Sequence, residues 1–153
     1  MTAEPTYVNE GPPRLVGQVF TRLLIRNYRD VVAAEDRGNG RQVRQESLER
    51  VRVDTGATHL CLPSETIERL GLTVQRNVVV ATAAGERETR LFGPAEVTIA
   101  DRTTVLHVLE LPGSAQPLFG AIPMEELGIE PDLANQQLRL LPETGPNTHF
   151  TAY

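Results

Sequence analysis

Lysine is missing from this chain: all fifteen basic residues are Arg. That removes P-loop nucleotide binding, Schiff-base chemistry and a lysine general base from the functions open to it. Cysteine is nearly missing. Cys61 stands alone, so no internal disulfide forms, no Cys/His cluster for structural zinc exists, and a reducing compartment is expected. Neither a metal nor a cofactor is expected. Long apolar runs are also lacking: the longest strictly apolar stretches are about four residues, too short to cross a membrane. Residues 1–13 have neither a basic start nor an apolar core, and the expectation is a soluble, cytoplasmic protein. Fifteen basic against twenty acidic residues leave a net charge of −5. Such a field repels phosphate backbones and anionic surfaces, so nucleic acid and membrane are not expected partners.

What remains is a chain of 153 residues, 40% hydrophobic, long enough for one domain with a real core. Residues 1–14, which include Gly11-Pro12-Pro13, are expected to form a flexible arm. Residues 15–141 form the body and 142–153 a polar tail. Residues 15–34 are rich in β-branched and aromatic residues with a polar break at Arg26-Asn27, which suggests two consecutive strands. Residues 35–47, with Gly38-Asn39-Gly40, suggest a long exposed loop. In the next strand Leu48, Val51 and Val53 share a face after an offset at Arg50, and the strand runs into Asp54-Thr55-Gly56.

A short helix is expected after Pro63-Ser64, with Ile67 and Leu70 on one face and Gly71 as its stop. Residues 74–82 and 87–91 read as a long hairpin across Ala83-Ala84-Gly85-Glu86. Residues 96–100 and 103–111 read as a second hairpin around Asp101-Arg102. Leu118-Phe119-Gly120 leads into another short helix that ends at Gly128, and residues 138–141 close the body. Many short strands and two short helices make the class mostly β, with a closed or strongly curved sheet. The halves echo each other. Strand, Asp54-Thr55-Gly56-Ala57, helix and Leu70-Gly71-Leu72 are answered by strand, Leu118-Phe119-Gly120-Ala121, helix and Leu127-Gly128-Ile129. Only the first half carries chemistry.

Asp-Thr-Gly is an ordinary turn composition. Here it ends an alternating strand, precedes a short helix and is echoed by a hydrophobic-hydrophobic-Gly turn. In Val53-Asp54-Thr55-Gly56-Ala57-Thr58-His59, in the hairpin tip at residues 83–86 and in Leu118-Phe119-Gly120-Ala121-Ile122-Pro123, the chain resembles the retropepsin-like aspartic proteases. Gly17-Gln18-Val19 and Asn27-Tyr28-Arg29-Asp30 are similar to the lead-in of bacterial members. The resemblance covers residues 15–141 and implies the closed β-barrel of the retropepsin type. It also implies peptide-bond hydrolysis by a water activated between two carboxylates that share one proton. Only one Asp-Thr-Gly is present and no Asp-Ser-Gly, so the expected unit is a homodimer with Asp54 of each copy at a two-fold axis.

By the same resemblance Thr55 holds the paired loops across the axis, and Gly56 offers its N–H to Asp54. Gly85, with Ala84, forms the tip of a flap over an extended peptide, and Ala57 and Thr58 touch that peptide. Two positions depart from the retroviral pattern: Thr58 stands where Asp or Ser is common, and Phe119 where Ile or Leu is usual. Read on their own, His59 is an ordinary surface residue, Cys61 a small buried apolar residue, and the Arg-rich residues 37–52 a solvated face. Asp30, Asp101 and Asp132 lack a following Thr-Gly or Ser-Gly. The alternative to an enzyme is a catalytically silent module that keeps this fold for peptide binding or dimerisation, and a weaker one is a small β-barrel binding module.

Overall fold

The computed structural model describes residues 6–8, 18–37 and 42–152. It contains β1 (Thr6–Val8), β2 (Val19–Asn27), α1 (Tyr28–Arg37), β3 (Gln45–Val53), β4 (Leu60–Pro63), α2 (Ser64–Leu70) and β5 (Thr73–Thr82). There follow β6 (Gly85–Ile99), β7 (Arg102–Leu111), β8 (Leu118–Phe119), α3 (Ala121–Leu127), β9 (Ile129–Asp132) and β10 (Gln137–Leu140). The molecule is mostly β, as the composition of its segments suggests, with three short helices instead of two.

The extra helix corrects the reading of residues 15–34 as two strands. Asn27 ends β2 and caps α1: its Oδ1 accepts the Asp30 N–H at 3.2 Å, three residues into the turn. Its Nδ2 donates to the Leu70 carbonyl at 2.9 Å and the Gly71 carbonyl at 3.2 Å. A buried amide with both ends satisfied overrides the β-branched pair Val31-Val32. The loop expected over residues 35–47 shrinks accordingly, since α1 runs to Arg37 and β3 begins at Gln45. Gly38, Asn39 and Gly40 lie outside the described residues, as do Met1 to Pro5 and residues 9–17. Within the expected arm, Thr6–Val8 pairs antiparallel with β10, so these three residues are a strand and no loose end.

The large sheet has the order β2-β3-β8-β4-β7-β6-β5, and β2 pairs β6 as well as β3. The pairings thus return to their start, and β5 hangs outside on β6. Side chains of β2 alternate strictly, with Val19, Thr21, Leu23, Ile25 and Asn27 inward. The expected offset at Arg50 is a bulge, because Thr21 faces Val51 while Leu23 faces Leu48. Residues 87–91 and 96–99 belong to one long strand, β6, which turns into β7 at Ala100-Asp101, one residue earlier than expected. Ala100 adopts the left-handed region there (φ 54°). The core gathers Ile25, Val51, Leu60, Leu62 and Phe119 with α2 and α3 side chains Ile67, Leu70, Met124 and Leu127. Both helices end at left-handed glycines, Gly71 (φ 63°) and Gly128 (φ 64°), whose N–H groups reach back to Glu68 and Glu125 carbonyls.

The tail folds back on the body. Arg102 donates to the carbonyls of Leu127, Gly128 and Leu141 and pairs with Glu143, while His149 N–H meets the Pro142 carbonyl at 2.9 Å.

Candidate active site

Asp54 follows the last residue of β3, where the chain leaves the sheet beside β8. Two backbone bonds fix it from outside the turn: Arg52 N–H to Pro117 C=O and Asp54 N–H to Phe119 C=O, each 3.0 Å. Ala57 N–H closes the turn onto Asp54 C=O at 3.1 Å. In return Ala57 and Thr58 carbonyls accept from Ala121 and Ile122 N–H, both at 2.8 Å. The two Gly-Ala turns are therefore stitched together by their main chains. Gly120 makes this contact possible, because a Cβ there would stand 2.5 Å from the His59 oxygen and 2.6 Å from the Ala57 oxygen.

The Asp54 side chain keeps 29% of its exposure, and each of its oxygens has a partner. Oδ1 accepts the Gly56 N–H at 2.9 Å, and Oδ2 accepts from the Arg52 guanidinium, also at 2.9 Å. The Arg52 hydrogen bond, with lesser help from the Gly56 amide and the guanidinium charge, holds the Asp54 pKa below the usual carboxylate range against partial burial. Arg52 is a functional neighbour that the reading of residues 37–52 as a solvated face passes over. Its signal was present: residues two apart on a strand point to the same side.

Asp54, Gly56, Ala57 and Thr58 line a groove of about 730 Å³ whose opposite wall is the β5–β6 hairpin, through Val78, Val80 and Thr82. Cys61, Leu91 and Leu109 form its apolar floor, with Leu111 and Leu118 packed beside them. The structure brings the expected residues together unevenly. Thr55 is exposed and faces away from this groove, lining a second hollow of about 460 Å³ with Ala121, Met124 and Ile129. Ala84 and Gly85 sit at the exposed hairpin tip, beyond the groove wall that ends at Ala83. The tip is a two-residue turn, Ala83-Ala84, in which Thr82 Oγ1 donates to the Gly85 carbonyl at 2.7 Å and accepts from the Ala84 N–H at 3.2 Å.

Cys61 belongs to the floor and is inert as a nucleophile, since burial first and the Asp54 charge second push its thiol up to about 11. Glu110 also reaches the groove, but Arg90 takes both of its oxygens at 2.9 and 2.7 Å. That bond leads the causes holding Glu110 below the usual carboxylate range. His59, whose Nδ1 lies 2.7 Å from Thr58 Oγ1, is partly buried in the groove and is no free surface residue. Asp30 is bound by Arg44, and Asp132 by Asn135; neither is a neighbour of Asp54. Among the described residues no group of three His, Cys, Asp or Glu side chains is placed to hold a metal, and no helix is long and apolar enough to cross a membrane.

A family model described as Aspartyl protease matches residues 39–122, more than half of the chain, a stretch that spans β3, the Asp54 turn, the hairpin and the second Gly-Ala turn. No curated protein matches the chain.

Proposed function

Since the chain belongs to the aspartyl protease family, retropepsin-like in type, we propose that it is a homodimeric aspartic endopeptidase in which two copies of Asp54 activate a water. The observation that carries this reading is a partly exposed carboxylate, one oxygen fixed by a backbone amide, in a groove roofed by a hairpin. An ionised Asp54 takes a proton from water but cannot give one to a scissile carbonyl. Amide hydrolysis needs both acts. Glu110, the other acid of the groove, is locked in its ionised form by Arg90. The acid must therefore come from a second copy, and two carboxylates within hydrogen-bond reach share one proton because both cannot ionise together.

The exposed Thr55, whose hydroxyl has no hydrogen-bond partner among the described residues, supports an axis on its side of the turn. The ring of strand pairings is consistent with the closed sheet of the retropepsin type. A substrate strand laid in the groove has the hairpin above it and the Asp54 turn beside it, with alternate side chains directed at the apolar floor. On assembly the Arg52 contact must be exchanged for the partner carboxyl, since a guanidinium on each Asp54 would keep both ionised. A single free cysteine supports a reducing, cytoplasmic setting.

One observation favours a second reading, a silent peptide-binding or dimerisation module: the same Arg52–Asp54 pair occupies the oxygen that the reaction needs. Peptide-library cleavage measured over a range of protein concentrations, with Asp54→Asn as control, separates the two. The enzyme reading expects specific activity to rise with dimer fraction and to vanish in Asp54→Asn. Cleavage by Asp54→Asn at the wild-type rate, or by a strict monomer, overturns it. A dimer that binds peptides and never cuts them establishes the silent module.

A further inference from the structure

One end of the groove carries a cluster of one arginine and two histidines that hydrolysis itself does not require. β4, β7, β6 and β5 lie side by side, and their registers set Cys61, Leu109, Leu91 and Arg76 in one row. Alternate residues share a face, so His59 and His107 stand on the groove side one step along from Cys61 and Leu109. The His107 ring lies over Gly93, where a Cβ would come within 2.9 Å of its Cδ2. His59 and Arg76 line the groove directly. His59 also feels the other two as charges: burial first, then His107 and Arg76, hold its pKa below the ordinary imidazole value.

Among the described residues no acid pairs with Arg76. Arg22, Arg26, Arg44, Arg52, Arg69, Arg90, Arg102 and Arg139 each meet a carboxylate, whereas Arg76, like Arg29, Arg50 and Arg87, meets none among the described residues, and of these four only Arg76 lines the groove. In a chain of net charge −5, Arg76 thus stands beside an apolar floor without a carboxylate of its own. The missing counter-charge matches what an extended peptide can supply, because a strand that places one side chain on the floor directs a near neighbour at the end of the groove.

We propose that Arg76, with His59 and His107 as neighbouring N–H donors, forms a subsite for an acidic side chain of the peptide substrate, a few residues from the scissile bond. The inference rests on the peptide-groove reading above and adds to it a substrate class. In a two-fold dimer the subsite occurs twice, once on each side of the bond. The net negative field of the protein gives no long-range attraction to such a peptide, so selection acts by contact.

The test uses fluorescent peptides that differ only in Glu or Gln, moved position by position. Their binding to full-length Asp54→Asn is measured by anisotropy and their cleavage by the wild-type chain. At one or two positions Glu is expected to bind about tenfold tighter than Gln, the gain of a charge-assisted contact. Arg76→Gln should collapse that ratio to about twofold or less, and Arg76→Lys should restore part of it. Equal binding of Glu and Gln at every position, a ratio that survives Arg76→Gln, or no binding of any peptide overturns the subsite. Cleavage without acidic preference sinks the subsite and leaves the protease reading standing. Acidic preference in binding without cleavage does the reverse.

Discussion

The turn at Asp54-Thr55-Gly56 and the turn at Leu118-Phe119-Gly120 face each other at the ends of neighbouring strands, joined by four backbone hydrogen bonds of 2.8 to 3.0 Å. Each leads on to a short helix that stops at a left-handed glycine. Their side chains diverge. Phe119 is fully buried, while Asp54 keeps 29% of its side-chain exposure. A carboxylate that has to meet water and a peptide contributes little to packing, whereas a buried aromatic ring contributes roughly 1.5–3 kcal/mol. One backbone design thus separates two duties: the second turn supplies the cohesion, and the first spends its freedom on chemistry.

The contrast is broken most severely at Asp54. Asp54→Asn is expected to lower peptide cleavage by a factor on the order of 10²–10⁴, the range of general acid–base catalysis. Urea unfolding of this variant should stay within about 1 kcal/mol of the parent, since the partly exposed ion pair it loses is worth little. Phe119→Ala reverses the pattern, with an expected loss of about 3–5 kcal/mol of stability in the same measurement. Equal destabilisation by the two substitutions would erase the division of duties. Gly120→Ala pushes a methyl into the His59 and Ala57 carbonyls and should cost about 1–3 kcal/mol. Cleavage should fall as well, although Asp54 is untouched, because the two turns are forced apart.

The smallest effect sharpens the account of Asp54 itself. Arg52→Ala removes the first cause of its lowered pKa, so an NMR titration of the Asp54 carboxyl should move up toward the ordinary value. A depressed folded pKa contributes stability above the unfolded value, and this is lost as pH falls through the folded one. The variant should therefore lose less stability than the parent on acidification through that window. An unmoved titration would show that the Gly56 amide, not Arg52, sets the charge state.

Much of this was legible before any coordinates. The Asp54 turn, the hairpin of residues 74–82 and 87–91 and the echo of the two Gly-Ala turns follow from period-2 patterns and glycine placement, which act locally. α1 was not legible as a helix, because Val31, Val32, Ala33 and Ala34 match a strand as well as a helix; the deciding contact joins Asn27 to Leu70 and Gly71 across the chain. β9, with Pro131 inside four residues, exists through its pairing with β10 and carries no pattern of its own. The assembly of His59, Arg76 and His107 needs three strand registers at once, and no window of sequence holds it.

β8 is two residues long, yet it is the link between β3 and β4. A circuit of strands is no tighter than its briefest joint, and here that joint adjoins the reactive carboxyl. The amide protons of Arg52 and Asp54, whose acceptors are Pro117 and Phe119, thus serve as built-in gauges. Their deuterium uptake tells whether the seam is shut, in a lone chain or an assembled one, with no ligand added.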